Sequence, residues 1–221
     1  MKEIKLFILA ADRADKAEPS CLVEFDENSC LLANQVRCAL LSGIKYENIH
    51  ILIGKSQPWT PERKEQVAKY ILEENIIEVD NEMTKMSGDS LYAGLSATDL
   101  SQCQRVLVFF GDHFIPIGSI DNLMSRNTSS LLVTPAIKVM PHDEPCIKND
   151  VLMRAGETSL PYYLFGGSCS FDLNSIDYEE FKGKGVLRLA VEKEFSLERE
   201  GVDSVTINAS HDSQLKGGSF A

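Results

Sequence analysis

Apolar residues run almost unbroken from Ile4 to Ala10, the pattern of a central parallel strand covered on both faces. A polar stretch, Asp12 to Ser20, separates it from a short extended piece, Cys21-Leu22-Val23-Glu24-Phe25. Leu31, Leu32, Val36, Ala39 and Leu40 recur at helical spacing, and Gly43 stands where a helix C-terminus wants it. Asn48 to Ile53 reads as a second strand closed by Gly54. Thr60-Pro61 opens a helix to about Asn75, with Thr60 as N-cap and Pro61 in the first turn.

Ile76 to Val79 is a third strand, and Asp89 to about Thr98 a short helix with Leu91 and Leu95 on one face. Arg105 to Phe110 is the strongest strand signal, ending in Gly111-Asp112-His113. The second half is less regular. It reads as a strand at Ser130 to Thr134, a loop at Pro135 to Pro145, and a strand at Pro161 to Phe165. A short helix at Asp177 to Phe181, a longer one at Val186 to Glu194, a strand at Val205 to Ile207 and a helical turn from His211 complete it.

Strands and helices that alternate with short connections predict an α/β protein. The expected architecture is three-layer α/β/α with a mostly parallel central sheet. No linker divides the 221 residues, so the chain reads as one domain: 1–115 as a nucleotide-binding half and 116–221 as an acceptor-binding half.

Composition narrows the function. The formal net charge is -11, the pI about 4.9 and the mean hydropathy -0.12. So acidic a surface repels a phosphate backbone, which argues against nucleic acid as partner. A small anion remains compatible, because helix N-termini and a bound cation act locally. The six cysteines show no C-x-x-C spacing and read as buried free thiols of a cytoplasmic protein. The first apolar run is too short for a membrane helix, so no membrane association is expected.

In open parallel sheets, ligands sit outside the carboxyl ends of the strands. Two such ends carry an acid: Leu9-Ala10-Ala11-Asp12 and Phe110-Gly111-Asp112. Asp112 either holds a divalent cation against phosphate oxygens or caps the following turn, and the motif alone favours neither. His113 reads as a surface group of that turn and Trp59 as a surface packing anchor. His50, His142 and His211 lack partners at metal-ligand spacing, and Ser168 after Gly166-Gly167 makes no nucleophile elbow.

Taken in order, five segments resemble the nucleotidyltransferases that activate sugar phosphates or phosphocholine. These are Leu9-Ala10-Ala11 with Pro19-Ser20-Cys21-Leu22, then Ser87-Gly88-Asp89-Ser90-Leu91, then Val106 to Asp112. Phe165-Gly166-Gly167 and Thr206-Ile207-Asn208-Ala209-Ser210-His211-Asp212 follow. The family pattern is L-A-A-G-x-G-x-R, then P-K-x-L, a strand-Gly-Asp metal motif and I-D-T-x-x-D. The resemblance implies a nucleotide-diphospho-sugar transferase-like fold.

The activity it implies is attack of a phosphorylated small molecule on the α-phosphate of a nucleoside triphosphate, with release of pyrophosphate. It assigns Lys16 and Asp112 to catalysis. It places Leu9, Ala10, Ala11, Asp12, Ser20, Gly88, Asp89, Ser90 and Gly111 at the nucleotide, Gly166 and Gly167 at the acceptor, and Asp112 with Asn208 on Mg2+ or Mn2+. The short length and the Cys21–Phe25 segment resemble the compact cytidylyltransferases, and a homo-oligomer is compatible with this reading.

The chain departs from the pattern where charge matters most. Asp12 and Ala14 replace the two loop glycines, Lys16 the arginine, Ser20 the lysine and Asn208 the second metal Asp. Asp12 brings a carboxylate towards the triphosphate, and Ser20 forgoes a charge-assisted contact worth roughly 1.5–3 kcal/mol. Asn208 lowers cation affinity, unless Asp203 or Asp212 supplies the second carboxylate. A nucleotide-binding or regulatory protein that has lost turnover, or a member that recruited Asp12 for other chemistry, are the rival readings.

Overall fold

The computed structural model describes residues 3–12, 16–26, 29–82, 84–126, 128–135, 145–149, 151–154, 157–159 and 161–199. Ala14, His142, Asp203, Val205 to Ile207, Asn208, His211, Asp212 and nearly all of the 135–145 loop lie outside them.

The first apolar run forms strand β1 (Glu3–Leu9), and a small hairpin, β2 (Glu24–Asp26) and β3 (Ser29–Cys30), leads into helix α1 (Leu31–Leu41). Strand β4 (Ile49–Gly54), helix α2 (Pro61–Val67), strand β5 (Ile76–Val79), helix α3 (Ser87–Ala97) and strand β6 (Cys103–Phe110) follow in the expected order. Helix α4 (Ile117–Ser125), strand β7 (Ser130–Pro135), the hairpin β8 (Pro145–Lys148) and β9 (Val151–Arg154), and strand β10 (Tyr163–Asp172) come next. Helix α5 (Val186–Glu192) and strand β11 (Ser196–Arg199) complete the described chain.

One sheet runs β11-β7-β10-β6-β1-β4-β5, with β8 and β9 attached beside β10. The pairs β1–β4, β1–β6 and β4–β5 are parallel. Strand β10 is antiparallel to both β6 and β7, so the sheet is mixed. The period-two alternation of a strand separates the layers. Leu6, Ile8, Ile51, Ile53, Leu107 and Phe109 face α1, α2 and α4. Phe7, Leu9, Leu52, Val106 and Val108 face α3 and α5. The three-layer arrangement follows.

Several elements differ from the sequence pattern. Helix α2 stops at Val67, where bonds from Lys69 to Gln66 and from Tyr70 to Val67 tighten the chain into a turn that feeds β5. Thr60 caps it by position only, with no side-chain bond. Leu40 is 42% exposed rather than core, since the inner stripe of α1 is filled by Leu32, Val36 and Ala39. Strand β10 begins at Tyr163 and continues through Gly166-Gly167, which form an irregularity in its pairing with β7.

His50 carries a pH consequence. It is buried in β4 and stacked on Phe7, ring centroids 5.0 Å apart, with no partner for Nε2. Burial, with a smaller push from Lys5, lowers its pKa to about 4. The unfolded chain therefore takes up a proton that the folded chain refuses as pH falls below the ordinary histidine value. Stability should drop by up to about 3 kcal/mol between neutral pH and pH 4. His50→Phe should flatten that limb in melting curves taken at pH 7 and pH 4.5; an unchanged slope would remove His50 as its source.

Candidate active site at the tips of β1 and β6

Chain direction across the sheet places the site. From β1 the chain crosses to β4 and β5 on one side, then returns through α3 to β6 on the other, so the order reverses between β1 and β6. The crevice beyond their carboxyl ends is where an open α/β sheet admits ligands. Leu9 lies opposite Phe110 in the register, and the Gly111 N–H donates to Leu9 O at 2.9 Å. The two acid-bearing tips are thus adjacent.

A cavity of about 260 Å3 opens there, lined by Leu9, Ala10, Ala11, Asp12, Lys16 and Ser20 together with Thr84 to Ser87, Ser90 and Phe110 to Asp112. It unites most of the expected nucleotide residues. Gly88 and Asp89 are not on its wall. The Gly88 Cα packs so closely on the backbone of Phe181 and Lys184 that a Cβ would lie 2.5 and 2.2 Å from their carbonyl oxygens. The Asp89 carboxylate accepts from the N–H groups of Met86 (3.2 Å) and Gly183 (2.6 Å). Val186 N–H donates to Ser87 Oγ at 3.0 Å. The start of α3 is therefore clasped to the 181–186 segment, and its Gly-Asp pair is committed to that contact.

At the β1 tip the polar groups close on one another. Asp12 Oδ2 accepts from Ser20 N–H (2.8 Å), and Oδ1 accepts from Ser20 Oγ (2.9 Å) and pairs with Lys16 Nζ (2.7 Å). Lys16 also donates to Ser20 Oγ. Three residues that the resemblance places at phosphate are bonded to each other, with the Asp12 side chain only 9% exposed.

At the β6 tip, Asp112 Oδ1 accepts from His113 Nδ1 at 2.7 Å. Burial pushes the Asp112 carboxyl up, but the His113 hydrogen bond and the charges of His113 and Lys16 outweigh it. Its pKa lies below the ordinary value, and the group is ionised at neutral pH. Cys21, beneath the loop, is driven the other way: burial and then Asp12 raise its thiol well above the usual range, so it is no nucleophile.

His113 is buried rather than a surface group, because its ring packs against Phe110 and Phe165, which also meet edge-on. Gly167 lies against that side chain. A Cβ on Gly167 would approach His113 Cβ to 2.3 Å, and its φ is +77°. The role this contact gives Gly167 is to make room for the histidine that holds Asp112.

The surrounding polar scaffold escaped the sequence reading. Gln35 Nε2 reaches from α1 to Phe110 O (2.8 Å) and His113 O (2.6 Å), fastening the Asp112 turn. Trp59, far from being a surface anchor, is 3% exposed and donates from Nε1 to Ala10 O at 3.1 Å. Asn81 donates to Asp12 O (2.9 Å) and Gln57 O (2.8 Å) and accepts from Ser56 N–H (3.0 Å). Asn81→Ala removes the partner of three part-buried backbone groups, so a loss of about 1–3 kcal/mol in urea denaturation is expected. A change below about 0.5 kcal/mol would mean that water replaces the amide.

Known structures share this fold. The chain is similar to the inositol-1-phosphate CTP transferase from T. maritima, with TM-score 0.60 and 13% identity over 90% of this chain and 85% of that one. It is also similar to a UDP-glucose pyrophosphorylase complexed with UDP-glucose, with TM-score 0.62 and 13% identity over 87% and 88%. The fold is that of the sugar-phosphate nucleotidyltransferases. No family model matches the chain, nor does any curated protein. Of the two strand tips, that of β1 departs most from the sequence pattern described above and that of β6 least. Among the described residues, no group of three His, Cys, Asp or Glu side chains converges on a metal position, and no helix is long and apolar enough to cross a membrane.

Proposed function

We propose that the chain binds a nucleoside triphosphate in the crevice between β1 and β6 and transfers its nucleotidyl group to a small phosphorylated acceptor. One observation carries this reading: an ionised Asp112, oriented by His113, stands at the strand-order reversal beside Lys16. In the reaction an acceptor phosphate oxygen bonds to the α-phosphorus as the bond to the β-phosphate bridge oxygen breaks, and pyrophosphate leaves. The names of the similar structures, one a CTP transferase and one bound to UDP-glucose, support a pyrimidine nucleotide, cytidylyl included.

A Mg2+ ion normally keeps several waters and takes one or two carboxylates together with substrate phosphates. Asp112 as a single carboxylate fits an ion that arrives with the nucleotide, with Asn208 a second candidate ligand. Such an ion would neutralise charge on the α-phosphate. The chain's own part is to orient that phosphate through Asp112 and Lys16 and to line the base and ribose with Ser87 and Ser90. Gly166 and Gly167 are the proposed acceptor-side residues, and Gly167 meets the site through His113.

A second reading, nucleotide binding without turnover, draws on the closed Asp12–Lys16–Ser20 set, which offers little positive charge to a polyphosphate. Pyrophosphate release measured with each nucleoside triphosphate, Mg2+ or Mn2+ and a panel of phosphorylated acceptors separates the two. Turnover supports the transferase. Thermal stabilisation by nucleotide without turnover supports the binding protein, and neither result would sink both.

A further inference from the structure

The donors at the β1 tip form a complete anion cradle: one backbone N–H, one hydroxyl and one ammonium converging on a pair of oxygens. That is the donor set a phosphate group takes. Its occupant here is the chain's own Asp12 carboxylate, with both oxygens engaged at 2.7–2.9 Å. Among the described residues its wall carries two aspartates (Asp12 and Asp112) against two lysines (Lys16 and Lys85). Lys85 makes no ion pair among the described residues and is exposed at the mouth of the cavity.

We infer that Asp12 is a tethered competitor for an inorganic-phosphate-like subsite, and that it sets which ligands the cleft accepts. A polyphosphate tail can use Ser20 N–H, Ser20 Oγ and Lys16 only after the carboxylate has swung away. While the carboxylate remains, the described side chains of the cleft offer the tail no net positive charge. Neutralising residue 12 adds one positive charge to the balance of the described wall, and removing its side chain releases all three donors. Asp12 is thereby a specificity-determining residue, weighting the wild-type cleft against ligands with a long anionic tail. This rests on the reading that the crevice takes a phosphate-bearing ligand.

The test needs neither a nucleobase nor turnover. Inorganic tripolyphosphate, free of divalent metal, is titrated calorimetrically into the wild type, Asp12→Ala, Asp12→Asn and Asp12→Asn/Lys16→Met. Both single variants should bind about 10- to 100-fold more tightly than the wild type, and the added Lys16→Met should reverse the gain. Asp12→Asn keeps an acceptor for Ser20 N–H and carries the test if Asp12→Ala melts near room temperature. Equal affinity in the wild type and both variants, or a gain untouched by Lys16→Met, overturns the inference. A wild type silent in the pyrophosphate assay would count against the transferase reading alone, because the titration registers only the anion subsite.

Discussion

Gly167→Ala is expected to destabilise the protein by about 3 kcal/mol and to displace Asp112 without touching it. The backbone at Gly167 has φ +77°, a region that costs an L-residue roughly 1–2 kcal/mol. The added methyl would also press against the His113 side chain, with Cβ and Cγ both at 2.3 Å. That second term is an overpacking cost of about 1–3 kcal/mol, since the ring is packed against Phe110 and Phe165 and bonded to Asp112. For a chain of this size the melting temperature should fall by about 6–12 °C. Any turnover should fall with it at temperatures where the variant is fully folded, because the hydrogen bond that orients Asp112 is strained. A variant that melts within a degree of the wild type would show that the ring can shift freely.

The largest effect on activity is expected from Asp112→Asn. The substitution keeps the shape and the acceptor for His113 Nδ1 while removing the negative charge. If Asp112 orients a cation-bound α-phosphate, kcat should drop by about 10^3-fold or more, equivalent to roughly 4 kcal/mol of transition-state stabilisation. The proposed base and ribose side at Ser87 and Ser90 is left untouched, so thermal stabilisation by a nucleotide should survive. Retention of turnover within tenfold would remove Asp112 from the reaction and leave it as a partner for His113 alone.

The parts of the fold that were legible in the sequence are those where one residue type repeats along a buried strand. β1, β4 and β6 show as apolar runs, and each ends at or within a residue of its expected position. Their adjacency is implied by the alternation of strands and helices. Asp112 was legible for the same reason, as an acid directly after such a run. The scaffold around it was not. Gln35, Trp59 and Asn81 bond to carbonyl groups 75, 49 and 69 residues away, respectively. Nothing local distinguishes them from any other amide or indole. Asp12 was legible as a departure from the family pattern, but its sequence position says nothing about where the carboxylate turns. The Gly166-Gly167 pair read as an end to its strand because glycine usually punctuates one. Here the pair is an irregularity inside a ten-residue strand, and Gly167 makes room for the His113 side chain of a neighbouring segment.

The clasp between α3 and residues 181–186 has a mechanical corollary. Its bonds run backbone to backbone and backbone to side chain, through Gly88, Asp89 and Ser87, so neither segment can slide without the other. A ligand that nudges the first turn of α3 must drag the front of α5 along. Damage in the remote 181–186 strap would accordingly be felt as a misshapen cleft, though no atom of that strap lines it.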